Sequence, residues 1–318
     1  MKLITVITFL LVPAVLGAQT PKRRLVPSDY YRLKDVGGPV ISPDGQWVAY
    51  SVTSSDSAKD KRNSDLYMVS WDGSRTVRLT SSPDGESMPR WSPDNRYLSF
   101  LSSRGDSEKG PQLWVLDRLG GEAEKVTDLK SGVDDYAWAP DGKRLVLVVK
   151  DPDPDTVKSE SKTPKAIEID RWDFKRDYAG YLDRRRNHLY LFDVATRKVE
   201  QITSGDMDDA EPNWSPDGKE IVFTSKRAPG SERSDNWDLY SIEAGAGATP
   251  KQLTTTLTND GGRGSGRASY SPDGKWIVFL RGGDPKYWAY SNPRVAVIPS
   301  AGGEPRVLTE ALDRNPSD

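Results

Sequence analysis

The feature that most constrains the fold is a turn motif, Ser-Pro-Asp-Gly, which recurs at intervals of roughly fifty residues. Proline sets φ at the first turn position, aspartate bonds the local backbone, and glycine accepts a positive φ. The motif therefore predicts a tight hairpin turn at each copy. The copies and close variants are ISPDGQWVAYSV, WSPDNRYLSFLS, WAPDGKRLVLVV, WSPDGKEIVF and YSPDGKWIVFLR, which begin at Ile41, Trp91, Trp138, Trp214 and Tyr270.

Each turn is followed by a near-continuous apolar run, a second apolar segment, and a closing pair of an apolar residue and threonine. Near-continuous apolar runs are typical of strands buried on both faces. A four-stranded meander buries both faces when it packs between copies of itself, as a propeller blade does. The sequence thus predicts an all-β fold, a β-propeller of four-stranded antiparallel blades with five blades present. The closing threonines are Thr80, Thr127, Thr203, Thr254 and Thr309.

The residues of the turns are predicted to be structural and not catalytic. Ala139 replaces serine in the third copy, so the shared feature is the turn and not a hydroxyl group. The aromatic residues before the turns recur at one position, which favours packing between blades. The structural turn residues are Ser42, Ser92, Ser215, Ser271, Asp217 and Gly218, and the packing aromatics are Trp91, Trp138, Trp214 and Tyr270.

The spacing of the motifs predicts the blade boundaries within residues 22–318. The third blade is the longest, and its extra residues form an inserted arm over residues 151–187. A sixth turn would be due just past the last residue, which favours an incomplete propeller over a complete five-bladed one. The predicted blades cover about 36–80, 87–127, 134–203, 210–254 and 267–309.

Composition restricts the environment and the partners of the chain. Residues 1–18 contain a lysine, an apolar run and small residues, a pattern typical of a secretory signal peptide. We therefore expect an exported protein, periplasmic or secreted, with no membrane association after cleavage. A net charge of −2 provides no basic excess for nucleic-acid binding. The absence of cysteine excludes thiolate catalysis, and we expect neither a cofactor nor a metal.

The repeats resemble those of two propeller groups. One is the periplasmic propeller of the Tol-Pal system, and the other is the N-terminal propeller of the prolyl oligopeptidase family of serine peptidases. The run AIEIDRWDFKRDYAGYLDRRRNHLYLFDV, at the end of the arm, resembles the acylaminoacyl-peptidase and dipeptidyl-peptidase branch. This resemblance implies a parent of about seven or eight blades. It also implies a C-terminal α/β-hydrolase domain with a serine nucleophile.

The catalytic machinery of that family is not found in the sequence. There is no Gly-x-Ser-x-Gly nucleophile elbow, and the single histidine, His188, opens an apolar strand of the third blade. We therefore assign no catalytic residue and expect the chain alone to be inactive. The resemblance implies a short peptide as the substrate of the full-length parent and the hydrolase domain as a partner. A stand-alone binding propeller similar to that of the Tol-Pal system is the alternative.

The arm carries the residues best suited to binding. Guanidinium and aromatic groups there are suited to positioning a peptide terminus over the propeller mouth. The other interpretation is an interface hairpin that covers a neighbouring domain or a second copy of the chain. The substrate-positioning candidates are Arg171, Trp172, Arg176, Tyr181 and Arg185.

Two weaker interpretations concern carboxylates. Asp208, Asp209 and Glu211 fall in the predicted connection before the fourth blade, where two of them would serve as a glycosidase-like acid/base pair. The run DPDPDTVKSESK, from Asp151, superficially resembles a calcium loop. It lacks the glycine at the sixth position and has Lys162 where the bidentate glutamate is needed, so we interpret it as a solvated hairpin base.

Overall fold

A computed structural model describes most of the chain. The predicted signal peptide and most of the calcium-loop-like run lie outside the described residues. Within the described ranges, no helix combines the length and the apolar character that a membrane crossing needs. The described residues are 23–152, 167–177, 179–230, 233, 236–262, 266–287 and 290–316.

The described chain forms five four-stranded antiparallel sheets, one after another along the sequence. This confirms the predicted all-β propeller architecture. Blades 1 and 2 contain β1 (Asp35–Ile41), β2 (Trp47–Asp56), β3 (Lys61–Ser70), β4 (Thr76–Arg78), β5 (Glu86–Trp91), β6 (Tyr97–Ser102), β7 (Gln112–Asp117) and β8 (Glu124–Lys125). Blade 3 contains β9 (Asp135–Trp138), β10 (Arg144–Lys150), β13 (Asn187–Asp193) and β14 (Val199–Gln201). Blades 4 and 5 contain β15 (Asp209–Trp214), β16 (Glu220–Ser225), β17 (Asp238–Glu243), β18 (Lys251–Gln252), β19 (Ser269–Tyr270), β20 (Trp276–Arg281), β21 (Arg294–Pro299) and β22 (Arg306–Val307).

The arm leaves blade 3 between β10 and β13, and it contains the short antiparallel pair β11 (Lys175–Arg176) and β12 (Gly180–Tyr181). Its neck is closed by two hydrogen bonds between Asp151 and Arg186. The Asp151 amide donates to the Arg186 carbonyl at 2.7 Å, and the Arg186 amide donates to Asp151 Oδ2 at 3.0 Å. The neck therefore continues the β10–β13 pairing by one step beyond the blade.

The repeated turns have one local chemistry. In blade 4, Ser215 Oγ donates to Asp217 Oδ1 at 2.7 Å and accepts from the Glu220 amide at 2.9 Å. Gly218 has a φ of 70°, a conformation that glycine adopts without strain. The serine hydroxyl is thus occupied by its own turn.

The aromatic residue before the turn connects neighbouring blades. Trp214 is 5% exposed, and its indole Nε1 donates to the carbonyl of Ala137 in blade 3 at 3.1 Å. Trp91 Nε1 donates in the same way to Val40 in blade 1 at 3.0 Å. These indoles bury a large apolar surface while their N–H group is satisfied by the previous blade.

The end blades differ from the middle ones in what covers them. Val222 in β16 is fully buried and belongs to the same apolar cluster as Ile277 of blade 5. Val278 has the same place in β20 and is 37% exposed, and Trp276 is 42% exposed. The described propeller therefore leaves one face of blade 5 uncovered.

Candidate ligand-binding site at the arm

The arm lies at the end of the blades opposite the Ser-Pro-Asp-Gly turns. β10 begins at the turn with Arg144 and ends at Lys150, where the chain enters the arm. β15 of blade 4 begins at this same end with Asp209. The arm thus lies against the strand starts of the next blade, where side chains from both can form one site.

A cavity of about 250 Å³ lies between the arm and blade 4. Its wall is densely charged, with four carboxylate and four cationic side chains. An indole ring, that of Trp237, adds an apolar surface. The lining residues are Asp170, Arg171, Asp173, Arg176, Arg186, Asp206, Met207, Asp208, Lys226 and Trp237.

Ion pairs fix the charged groups of this cavity. Asp206 Oδ1 accepts from Arg186 Nε at 3.1 Å and from Arg171 Nη1 at 3.4 Å. Arg176 pairs with Asp173 inside the arm itself. Arg186 is the least exposed of these arginines, with a side chain only 14% exposed. The result is a preorganised wall of both signs, which suits a ligand that carries both an ammonium and a carboxylate group.

The structure brings together only some of the residues that the sequence singled out. Arg171 and Arg176 share the cavity, and Arg176 also lines a neighbouring cavity of about 270 Å³ with Arg185. Trp172 is 68% exposed, and the Arg233 guanidinium lies over its ring at 5.8 Å from the centroid. Tyr181 stacks on Phe174, with ring centroids 6.4 Å apart. The arginines therefore line these two cavities, whereas the two aromatic candidates are absent from their walls.

Sequence reasoning missed a buried network below the arm. His188 is 2% exposed, with Nδ1 3.4 Å from Asp209 Oδ2 and Nε2 3.5 Å from Asp151 Oδ1. Arg227 holds the fully buried Asp209 through Nε at 2.9 Å and Nη2 at 2.5 Å. The network joins the neck of the arm to the inner strand of blade 4.

The repeat contained a signal for this network. In three places, the sixth residue after the closing threonine of one blade is a carboxylate that leads into the next blade. These residues are Glu86, Asp209 and Asp260. Each is fully buried and faces an arginine from the second strand or its exit: Arg104 at 3.9 Å, Arg227 at 2.5 Å and Arg281 at 3.5 Å. Blade 3 has the apolar Val133 at this position, and it is the blade that carries the arm.

The predicted placement of the acid/base pair was wrong. Asp209 and Glu211 lie in strand β15 and not in a connection, because Asp209 pairs with Ser225 at the start of the sheet. Asp209 is held by Arg227, and Asp208 Oδ1 accepts from the Asn187 amide at 2.9 Å. Asp209 therefore belongs to a buried ion pair of the blade, and Asp208 to the neck of the arm.

The ionisation of the buried Glu86 carboxyl group makes the free energy of unfolding depend on pH. Burial raises its pKa to about 7, against the hydrogen bond from Thr80. A carboxyl group whose pKa is raised on folding loses stability as the pH rises from about 4.5 to about 7. We expect Glu86→Gln to raise the free energy of unfolding at pH 8 by about 3 kcal/mol and to leave it unchanged at pH 4. Urea denaturation at both pH values measures this, with exposed Glu304→Gln as the control; equal effects at both values would contradict it.

Two family models match the chain, and together they span most of it. The model of the TolB beta propeller domain matches residues 18–168. The model of the dipeptidyl peptidase IV N-terminal region matches residues 158–281, which include most of the arm. The chain is a β-propeller related to both groups. The predicted resemblance is thereby confirmed.

Relatives of known name include peptidases. The chain is 30% identical over 224 residues to the peptidase YuxL of Bacillus subtilis, covering 69% of this chain and 34% of the relative. It is 26% identical over 278 residues to dipeptidyl-peptidase 5 of Porphyromonas endodontalis, covering 80% of this chain and 38% of the relative. The chain thus spans little more than a third of these relatives.

Solved structures support the propeller fold. The acylaminoacyl peptidase of Pyrococcus horikoshii matches 90% of this chain and 41% of its own, with a TM-score of 0.65 and 21% identity. The putative TolB of Agrobacterium tumefaciens matches 86% of this chain and 80% of its own, with a TM-score of 0.56 and 17% identity. Both a peptidase and a TolB protein therefore share the arrangement of blades.

Proposed function

We propose that this chain is the substrate-gating propeller of an exported serine peptidase that acts on short peptides. The observation that carries the proposal is the arm cavity of about 250 Å³, with its fixed guanidinium and carboxylate groups. The peptidase relatives and the match to the dipeptidyl peptidase IV N-terminal region support it. The nucleophile would come from a hydrolase domain, while the propeller binds and orients the peptide.

The charges of the cavity define how a peptide would lie in it. A peptide carboxylate would accept from Arg176 or Arg171, and a peptide ammonium would donate to Asp206 or Asp208. Charge-assisted hydrogen bonds of this kind are roughly twice as strong as neutral ones. The small volume favours peptides of a few residues, because a longer chain would have to leave the cavity.

The first test is the loss of peptide binding in an arm variant. We expect Arg176→Gln to raise the Kd of the dipeptide Ala-Ala at least tenfold, since a hydrogen bond to a charged group contributes about 1.5–3 kcal/mol. Isothermal titration calorimetry measures the effect. Arg197→Gln, which removes an exposed arginine paired with Glu124, is the matched control and should leave the Kd unchanged. An unchanged Kd in Arg176→Gln would contradict the proposal.

A stand-alone periplasmic propeller that binds a protein or another ligand is the second candidate function. The TolB beta propeller match and a 25% identity over 256 residues to the Tol-Pal system protein TolB of Francisella tularensis favour it. In that case the arm would contact a protein, through exposed side chains such as Trp172 and Tyr181. A homo-oligomer through the arm is a further form of this proposal. Absence of dipeptide binding together with an arm-dependent protein complex would favour this candidate.

A further inference from the structure

A guanidinium group fills the gap between blades 3 and 4 at the turn end. Arg144, the first residue of β10, lies over the ring of Trp214 at 5.0 Å from its centroid. Its Nη2 donates to the Gly218 carbonyl at 2.9 Å, and its Nη1 lies 3.4 Å from the Ala244 carbonyl. The slot thus offers an aromatic face and backbone acceptors, a combination that suits a planar cation.

A second arginine fills the equivalent slot between blades 1 and 2, but it comes from a different place. Arg118 follows β7, and it lies over the ring of Trp91 at 5.0 Å. Its Nη1 donates at 3.1 Å to the carbonyl of Asn95, which has the turn position of Gly218. Two arginines from different strands therefore reach equivalent sites, so a slot of this kind accommodates a guanidinium group.

The slot between blades 4 and 5 has another composition. Tyr270 stands where Trp214 stands, and Glu220 stands where Arg144 stands. The Tyr270 hydroxyl donates to Glu220 Oε2 at 3.4 Å. Among the residues that the structure describes, no arginine or lysine lies over the Tyr270 ring as Arg144 lies over Trp214. The internal cation of this slot is replaced by a carboxylate.

Open space accompanies this replacement. A cavity of about 1040 Å³ lies at the turns of blades 4 and 5, and Tyr270, Glu220 and Gly274 line it. The run 245–248, Gly-Ala-Gly-Ala, forms another part of its wall, and such small side chains leave the space unfilled. The ionisable lining residues are Asp217, Glu220, Glu243, Asp273, Arg144, Lys219 and Tyr270, so carboxylates outnumber cations by four to two.

We infer that this slot binds the guanidinium group of an arginine-bearing peptide or protein segment. The ring of Tyr270 would take the place of the Trp214 ring, and the Gly274 carbonyl that of the Gly218 carbonyl. Glu220 adds a charged acceptor, which a guanidinium group engages through two parallel N–H groups. The site lies at the opposite end of the blades from the arm, and it does not depend on the proposed peptidase role.

The test compares two ligands of nearly the same shape. N-acetyl-arginine amide and N-acetyl-citrulline amide differ in the guanidinium charge. We expect the arginine ligand to bind the chain with a Kd at least tenfold lower in an NMR titration, with shifts of signals from residues 215–220 and 270–274. Equal Kd values for the two ligands, or no saturable binding of the arginine ligand, would overturn the inference without bearing on the arm.

Two variants locate the binding. Glu220→Gln is expected to raise the Kd of the arginine ligand at least tenfold, and the exposed control Glu304→Gln is expected to leave it unchanged. Glu220→Arg recreates the arrangement of Arg144, so it should abolish binding and raise Tm by filling the slot internally. Retained binding in Glu220→Arg would contradict the inference. If either variant fails to fold, the comparison of the two ligands on the unmodified chain still decides.

Discussion

Replacing Trp214 with alanine is expected to lower the free energy of unfolding by about 3–5 kcal/mol, the range for a large buried aromatic side chain. The indole is 5% exposed, packs between blades 3 and 4, and donates to the Ala137 carbonyl. Its removal leaves a cavity, breaks the bond to the neighbouring blade and leaves the Arg144 guanidinium without its aromatic partner. Urea denaturation followed by far-ultraviolet circular dichroism measures the loss.

The matched control is Trp276→Ala in blade 5. Trp276 is 42% exposed, because the face of β20 to which it belongs is uncovered in the described chain. We expect it to cost less than about 1 kcal/mol, as substitutions away from buried features usually do. Equal losses at Trp214 and Trp276 would show that the first indole does not hold two blades together.

Replacing Arg227 with methionine is expected to cost about 3–5 kcal/mol, as does removing one partner of a buried ion pair. Asp209 is fully buried, and Arg227 contributes two of its hydrogen bonds. Without the guanidinium group, the buried carboxylate keeps the His188 ring as a neighbour, with Nδ1 3.4 Å from Asp209 Oδ2. Thermal unfolding at pH 7 measures the change.

Arg197→Met is the control for this prediction. Arg197 pairs with Glu124 at the surface, with side chains 50% and 67% exposed, so its loss should cost less than about 1 kcal/mol. The double variant Arg227→Met with Asp209→Leu should recover part of the stability, because no buried charge is left unpaired. A double variant less stable than Arg227→Met alone would contradict the assigned role of the pair.

The fold was predictable because each repeat contains a recognisable turn motif followed by an apolar strand. The turn at Ser215 has a serine, a proline, an aspartate and a glycine in order, and the same pattern or a close variant of it marks each blade. The apolar run of β16 indicated burial on both faces, and the structure buries both. In a repeat protein, the same pattern of turn and strand residues recurs in every unit. The secondary structure can therefore be predicted from all five copies together, even where one copy alone would fit either a helix or a strand.

The site was predictable only in part, because its contacts join residues far apart in the sequence. Arg171 and Arg176 were evident as charges on an insertion. The partner of Arg171, Asp206, lies in a connection between blades, about thirty-five residues further on, and nothing local marks it. The sequence does not show that His188 and Asp209 are neighbours, because their contact depends on the register of β10 with β13, which places the neck of the arm above β15. The repeated carboxylates were the one signal that comparison of the copies would have shown.

Hydrogen–deuterium exchange of the purified chain, with and without saturating Ala-Ala dipeptide, tests the central claim most directly. The account predicts slower exchange at residues 169–186 and 204–209, unchanged exchange at the turn residues 214–220, and no cleaved dipeptide in the same sample by mass spectrometry. Slower exchange confined to other parts of the chain, no change at the arm, or release of free alanine would contradict the account.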